Sequence, residues 1–265
     1  MKGVAALAGL VLAAPAAAQE APVRAPFFTT PPEVVARMLA LADTRAGDFV
    51  IDLGSGDGRI VIHAARAHGA RGLGVDLDAA LVARSRDHAA RVGVADRVRF
   101  EVRDALRTDL SAASVVTIYL LPFLLDRLEP RLLHGLRPGA RVVSHAFAFP
   151  SWRYDQSETV RLERAHPTQG ESSRIFLYVV PAQARGAWRA TGGWRLRVQQ
   201  NFQDIEVETL HQGRPRAVRS ARLRGEDIAF SGDGFSFRGR VTRETIAGEM
   251  LEGGVRAALA FERAP

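Results

Sequence analysis

"FVIDLGSGDGRIVI", residues 49–62, decides how the rest of the chain is read. An apolar run from Phe49 ends in a carboxylate, Asp52, and Gly54, Gly56 and Gly58 follow at every second position. The chain then becomes apolar again with no proline. A buried strand that passes through a bare turn into a helix is the opening unit of a βαβ fold. In an open parallel sheet, ligands bind beyond the carboxyl ends of the strands, where the strand order reverses. Glycines at that point let the turn take positive φ and let a ligand press against backbone.

Working outward, the same alternation continues on both sides. Upstream, "PEVVARMLALA" carries Val34, Val35, Met38, Leu39 and Leu41 on one helical face, with Pro32 in the tolerant first turn. Downstream, "GRIVIHAARAHG" reads as a helix closing at Gly69, "RGLGVDLD" as a second strand and "AALVARSRDHAARVG" as a second helix closing at Gly93. "RVRFEVRDAL" and "ASVVTIYLLP" are the third and fourth strands, "FLLDRLEPRLLHGL" a helix, "GARVVSHAF" the fifth strand and "SRIFLYVVP" a further one. The expected fold is α/β, Rossmann-like: a mostly parallel sheet with helices on both faces. Near Pro181 the pattern changes to short alternating runs broken by Gly, Asp and Ser. That predicts a small C-terminal all-β domain, an antiparallel sandwich or barrel of about six strands. The expected division is 1–18 leader, 19–183 α/β domain and 184–265 β domain.

Three nucleotide sites compete for the glycine turn. A phosphate-binding P-loop needs a lysine after its last glycine, and Lys2 is the only lysine in the chain. A dinucleotide turn, G-x-G-x-x-G, would put its third glycine at position 59, where Arg59 stands. The pattern present is D-x-G-x-G-x-G. A carboxylate at such a turn suits a ligand that carries an ammonium group better than it suits a pyrophosphate. Asp76, in "GLGVDLD", ends the second strand, where a carboxylate can accept two hydrogen bonds from a ribose diol. Asp104, in "EVRDAL", follows the third strand within reach of an exocyclic amine. Any one strand-end aspartate is commonly a turn or helix cap. The ordered set, glycine turn and then two strand-end acids, is far more specific.

This set resembles the class I S-adenosylmethionine-dependent methyltransferases, with "DLGSGDG", "GVDLD" and "RDAL" as three successive motifs over roughly residues 26–181. The resemblance implies S-adenosyl-L-methionine as cofactor and no resident metal. It implies Gly54 and Gly56 against the methionine moiety, Asp76 on the ribose and Asp104 at the adenine. Asp52 would orient the amino-acid end, directly or through water. The preceding "PFFTTPPEVVARMLALA" is similar to the group containing the ATP-synthase c-subunit lysine methyltransferase and its bacterial relatives. That likeness nominates Phe28, Thr29 and Thr30 as cover over the methionine end, a plain proline-rich connector being the alternative. It also makes protein lysine a candidate methyl acceptor.

Methyl transfer from a sulfonium is an in-line displacement, so the protein must align the nucleophile, strip water and hold the line of approach. The acceptor channel is expected after the fourth strand, at Tyr119, Leu120 and Pro122 in "IYLLPF". Many amino-group methyltransferases carry an Asn/Asp-Pro-Pro-aromatic signature there; this chain lacks its acid or amide. Backbone carbonyls near Leu120 and Leu121 are candidate partners for an amine. His145 is a candidate general base for a hydroxyl acceptor, the alternative being a satisfied buried histidine. Trp152, Trp188 and Trp194 are expected to pack or to bridge the domains.

Composition narrows the rest. The formal net charge is +7, but basic and acidic residues are interspersed, so the charge alone gives no reason to expect a nucleic-acid partner. There is no cysteine, which removes disulfides, thiolate metal sites and a cysteine nucleophile. "MKGVAALAGLVLAAPAAAQE" has the charge, apolar core and A-x-A of a secretory signal peptide cleaved after Ala18, which implies export to the periplasm or beyond, with an uncleaved anchor as the alternative. No later segment is long and apolar enough to span a bilayer. Because the donor is made in the cytoplasm, the leader keeps a second reading open: an exported methyltransferase-like binding module without catalysis. The oligomeric state is open.

Overall fold

The computed structural model describes residues 28–264, so the leader expectation lies outside the described residues. The first sheet is built from β1 (Phe49–Leu53), β2 (Arg71–Asp76), β3 (Val98–Val102), β4 (Val115–Ile118), β5 (Arg141–His145), β6 (Gln156–His166) and β7 (Gly170–Val179). Its order is β3-β2-β1-β4-β5-β7-β6. The first five are parallel, and β7 runs antiparallel to both β5 and β6. The order reverses between β1 and β4, which makes their carboxyl ends the ligand crevice.

Helices cover both faces because the strands alternate. Val50 packs with Val34, Met38, Ile60 and Ala64 beneath α1 (Pro32–Leu41) and α2 (Arg59–His68). Ile51 and Leu53 face the other way, against Leu125, Leu128 and Leu132 of α4 (Pro122–Gly135). On the first face, α3 (Ala79–Arg91) sets Val82 and Ala89 against Val98 and Phe100 of β3. Asp78 caps α3 by accepting from the Ala80 and Leu81 N–H groups. Pro122 opens α4, where its missing N–H costs nothing.

The strand β6 has no counterpart in the sequence reading. Only Val160, Leu162 and His166 of its eleven residues are buried, as suits an edge strand with one face in water. Polar residues flank the short Val160-Arg161-Leu162 alternation on both sides, so the pattern is faint.

The second sheet has nine strands, against the six or so expected. The run "WRLRVQQNFQDIEVETL" folds into two, β9 (Trp194–Asn201) and β10 (Asp204–His211), with Phe202 turning at φ 53°. β8 (Gly186–Ala190) and β11 (Arg214–Arg216) are too short to declare themselves. β12 (Val218–Arg224), β13 (Asp227–Gly232), β14 (Phe235–Val241), β15 (Thr245–Glu252) and β16 (Val255–Arg263) complete an antiparallel meander. β16 pairs back onto β8, and the edge strands β11 and β12 are separated by one residue. The sheet therefore curls into a nearly closed barrel around Trp188, Phe230, Phe235, Phe237, Ile246 and Phe261. Each domain has its own core, and the tryptophans follow that division rather than bridging it. Trp152 packs with Phe149 and Tyr178, whereas Trp188 and Trp194 belong to the barrel. The two domains meet through the Ala182 N–H donating to the Gly225 carbonyl at 2.8 Å and an Arg153–Asp204 ion pair.

Candidate functional site

A cavity of about 230 Å³ lies beyond the ends of β1, β2, β3 and β4. Thr29, Thr30, Asp52, Gly54, Gly56, Asp76, Asp104, Tyr119 and Leu120 line it, together with Phe28. Pro122 does not: it sits at the start of α4, and the wall there is made by Leu124 and Leu128 instead.

The floor is the glycine turn. Gly54 and Ser55 both donate to the Val75 carbonyl at 2.9 Å, which docks the turn on β2. Gly54 has φ +82°, and a Cβ there would stand 2.7 Å from Leu120 Cδ2. Gly58, the left-handed N-cap of α2 at φ +77°, would set a Cβ 2.7 Å from the Phe100 ring. Glycine is required at both by conformation and by space. Ser55 Oγ is buried in this turn with no partner, an orphaned polar atom at the cavity wall.

The acids surround that floor. Asp76 accepts from the Gly56 N–H (2.8 Å, Oδ2) and the Asp78 N–H (2.9 Å, Oδ1), so it fixes the turn while each oxygen keeps a free lone pair. Asp104 accepts from the Leu106 N–H through Oδ1, capping a single 3-10 turn, Ala105–Arg107, whose first two residues line the cavity. Asp52 is 2% exposed and accepts from Thr117 Oγ1 at 2.7 Å. Burial pushes its carboxyl up to about 7, Thr117 opposes this, and the neighbouring Asp76 and Asp57 add to it. Burial would raise Asp57 too, but the Arg59 guanidinium holds it below the usual carboxylate range. Arg59 also donates to the Thr30 carbonyl at 2.9 Å, tying the N-terminal arm to the turn. At position 59, then, an arginine clamps the arm where a dinucleotide turn would carry glycine.

At the other end stands Tyr119, just past β4. Its hydroxyl accepts from Gln169 Nε2 at 2.8 Å, and its ring lies 4.1 Å from that of His145. His145 is fully buried behind it and is not among the lining residues. Both its nitrogens are engaged, Nδ1 with Thr30 Oγ1 at 3.2 Å and Nε2 with Ser173 Oγ at 2.7 Å. Desolvation, with His166 adding to it, pushes the imidazole down to about 3. The general-base expectation for His145 therefore fails: it is a satisfied, uncharged histidine. Of the carbonyls expected to receive an amine, that of Leu121 already accepts from the Leu124 and Leu125 N–H groups, while that of Leu120 has no partner among the described residues. Gln169 and Ser173 were missed because they come from the β6–β7 hairpin, which carries no motif. No group of three or more potential metal ligands occurs among the described residues.

The residues fit an adenosyl ligand with an amino-acid tail: a bare cradle, an orphaned hydroxyl, and carboxylates for ammonium and diol. Strand order and site together define a class I S-adenosylmethionine-dependent methyltransferase. Residues 52–156 match the model of the ANTKMT methyltransferase domain, and the chain belongs to that family. It is 34% identical over 156 residues to a protein-lysine N-methyltransferase of Saccharolobus islandicus, covering 58% of this chain and 93% of that protein. It is 39% identical over 127 residues to the ATP-synthase c-subunit lysine N-methyltransferase of Xenopus laevis, covering 48% of this chain and 55% of the relative. Among solved structures, one described as an RNA methyltransferase from Salinibacter ruber in complex with S-adenosyl-L-homocysteine superposes with a TM-score of 0.53 at 46% identity, covering 59% of this chain and 95% of that one.

Proposed function

We propose that the chain moves the methyl group of S-adenosylmethionine to a protein lysine side chain. The observation that carries the reading is the convergence of Asp52, Asp76, Asp104 and the glycine turn on one cavity that ends at Tyr119 and Leu120. The lysine-methyltransferase relatives support the choice of acceptor. When bound, the cofactor supplies an activated methyl group on sulfur. Asp76 would hold its ribose, Asp104 its base and Asp52 its ammonium end, with Thr29 and Thr30 as cover. The Leu120 carbonyl, without a partner among the described residues, would take an N–H of the amine. Beside Tyr119 and Leu120 the amine would react uncharged, its proton passing to water as the site desolvates it.

The Salinibacter structure's description favours a second reading, an RNA acceptor. One experiment separates the two. Full-length protein is incubated with S-adenosylmethionine carrying a labelled methyl group and with cell extract. Label that is lost to protease and recovered as methyl-lysine after hydrolysis supports the first reading. Label that is lost to ribonuclease contradicts it. We further propose export, on the strength of the leader pattern alone; the intact mass of protein recovered from the producing cells should begin at Gln19. No helix among the described residues is long and apolar enough to cross a membrane.

A further inference from the structure

We propose that Thr30, His145, Ser173 and Gln169 form a one-way hydrogen-bond relay that makes the Tyr119 hydroxyl a proton donor at the acceptor end of the cavity. The acceptor is then held through an oxygen lone pair, a carbonyl of its chain beside the reacting amine, which leaves the nitrogen lone pair free for the methyl group, and an ammonium is not accepted at this point. This rests on the methyltransferase reading of the same cavity.

The direction of the relay follows from counting hydrogens. Ser173 has one, which it donates to Gln169 Oε1. Its oxygen must therefore accept from His145, so His145 carries its proton on Nε2. Nδ1 is left to accept, and the Thr30 hydroxyl donates to it. At the far end, Gln169 turns its amide nitrogen to Tyr119 Oη. His145, Ser173 and Gln169 each give a hydrogen and take one, Thr30 starts the chain as a donor, and every donation points the same way. Tyr119 receives from Gln169, so its own hydrogen has no partner among the described residues. Of the relay's members, only Thr30 and Tyr119 reach the cavity wall. The hydrogen left over is therefore offered to whatever fills the cavity. An ammonium, which has hydrogens and no lone pair, would meet it hydrogen to hydrogen.

Three further observations separate this from ordinary core satisfaction. The relay joins five separate segments: the arm, the ends of β4 and β5, the β6–β7 turn and β7 itself. Ala146, next to His145, holds φ +68°, a left-handed conformation that alanine rarely takes and that turns the chain just past the imidazole. Finally, the Thr30 carbonyl accepts from Arg59, so the relay's first member is fixed to the glycine turn. His145, Ser173 and Gln169 act through Tyr119 and are positioning residues. The other titratable group near Tyr119 is His166, ring centroids 6.3 Å apart, whose Nδ1 faces the Thr168 N–H at 3.3 Å.

The test is a double-mutant cycle on full-length protein, with Nα-acetyl-lysine methylamide as acceptor probe and labelled S-adenosylmethionine as donor. Tyr119→Phe and Ser173→Ala should each lower kcat/KM for the probe about tenfold. The double variant should lose no more than either single one, because both remove the same donated hydrogen. The KM for S-adenosylmethionine should stay within about twofold, and Ser173→Thr should restore the rate. Losses that multiply to about a hundredfold in the double variant, or a Ser173→Ala variant with unaltered kcat/KM, overturn the proposal. A second reading needs no acceptor. In the full chain bound to S-adenosylhomocysteine, the ¹⁵N-histidine spectrum should show His145 as the Nε2–H tautomer. An Nδ1–H tautomer or an imidazolium overturns the relay. Because this spectrum is independent of the acceptor, it separates a wrong relay from a wrong acceptor class.

Discussion

Asp52 is the residue whose chemistry changes most between sequence and structure. As a strand-end acid it looks like an ordinary ammonium partner; burial pushes its carboxyl up to about 7, into the neutral range. In the proposed role of Asp52 at the ammonium end, a cationic ligand favours the carboxylate, and binding then releases a proton. S-adenosylmethionine affinity should therefore rise by up to about tenfold per pH unit as pH approaches 7 from below, then level off. Calorimetric titration at several pH values reads this, and Asp52→Asn should flatten the profile. The stability of the unliganded protein has the opposite sign. A carboxyl raised from the unfolded value of 3.8 contributes stability that is full below that value and is lost as pH climbs to about 7. Gly54 tests the floor at the same scale. Gly54→Ala places a methyl 2.7 Å from Leu120 Cδ2 in a left-handed turn. It should cost about 2–4 kcal/mol in denaturant unfolding and abolish cofactor binding. Adding Leu120→Ala should recover only part of the stability, because the φ strain remains.

At the scale of elements, legibility tracked pattern strength. The strands β1, β4 and β5 are compact apolar runs, β2 is a glycine-spaced one and β3 alternates as VRFEV, and all five are read directly from the sequence. β6 offers only Val160 and Leu162 to the core at a sheet edge, so its periodicity is faint, and the hairpin it forms with β7 goes unread. That omission hid Gln169 and Ser173, which reach Tyr119 and His145 only through the β5-β7-β6 order. The cavity acids, by contrast, sit one after another at strand ends, where residue order alone places them. The connection from β5 to β6 is held by α4: Glu129 Oε2 accepts from the Ser151 and Trp152 N–H groups at 3.3 and 3.2 Å. Glu129→Ala should lower stability by about 1–3 kcal/mol, with Glu129→Gln losing less, while S-adenosylhomocysteine affinity stays within about twofold. Thermal unfolding of the two variants beside a binding titration checks both halves.

The whole molecule is two cores on one chain. The first holds the cavity and the second encloses the barrel's aromatics; the link between them combines Phe202 of the barrel, packed on the first core, with the Ala182–Gly225 and Gln203–Arg153 hydrogen bonds and the Arg153–Asp204 ion pair. The Saccharolobus relative is matched over 93% of its length by 156 residues here, 58% of this chain. Calorimetry should resolve two unfolding transitions. S-adenosylhomocysteine at a hundred times its Kd should add about 2.7 kcal/mol to one of them, a shift of about 5–10 °C, and leave the other in place. A single transition that moves as a whole would mean that the barrel and the site unfold as one unit.

The most direct measurement is calorimetric titration of S-adenosylhomocysteine into the full-length protein and its Asp76→Ala and Asp104→Ala variants. The expected result is one-site binding to the unaltered chain, weakened roughly 30- to 150-fold by either substitution, the loss of about 2–3 kcal/mol of charge-assisted hydrogen bonding. Binding that neither variant weakens would mean that the carboxylates ringing this cavity do not hold the adenosyl group.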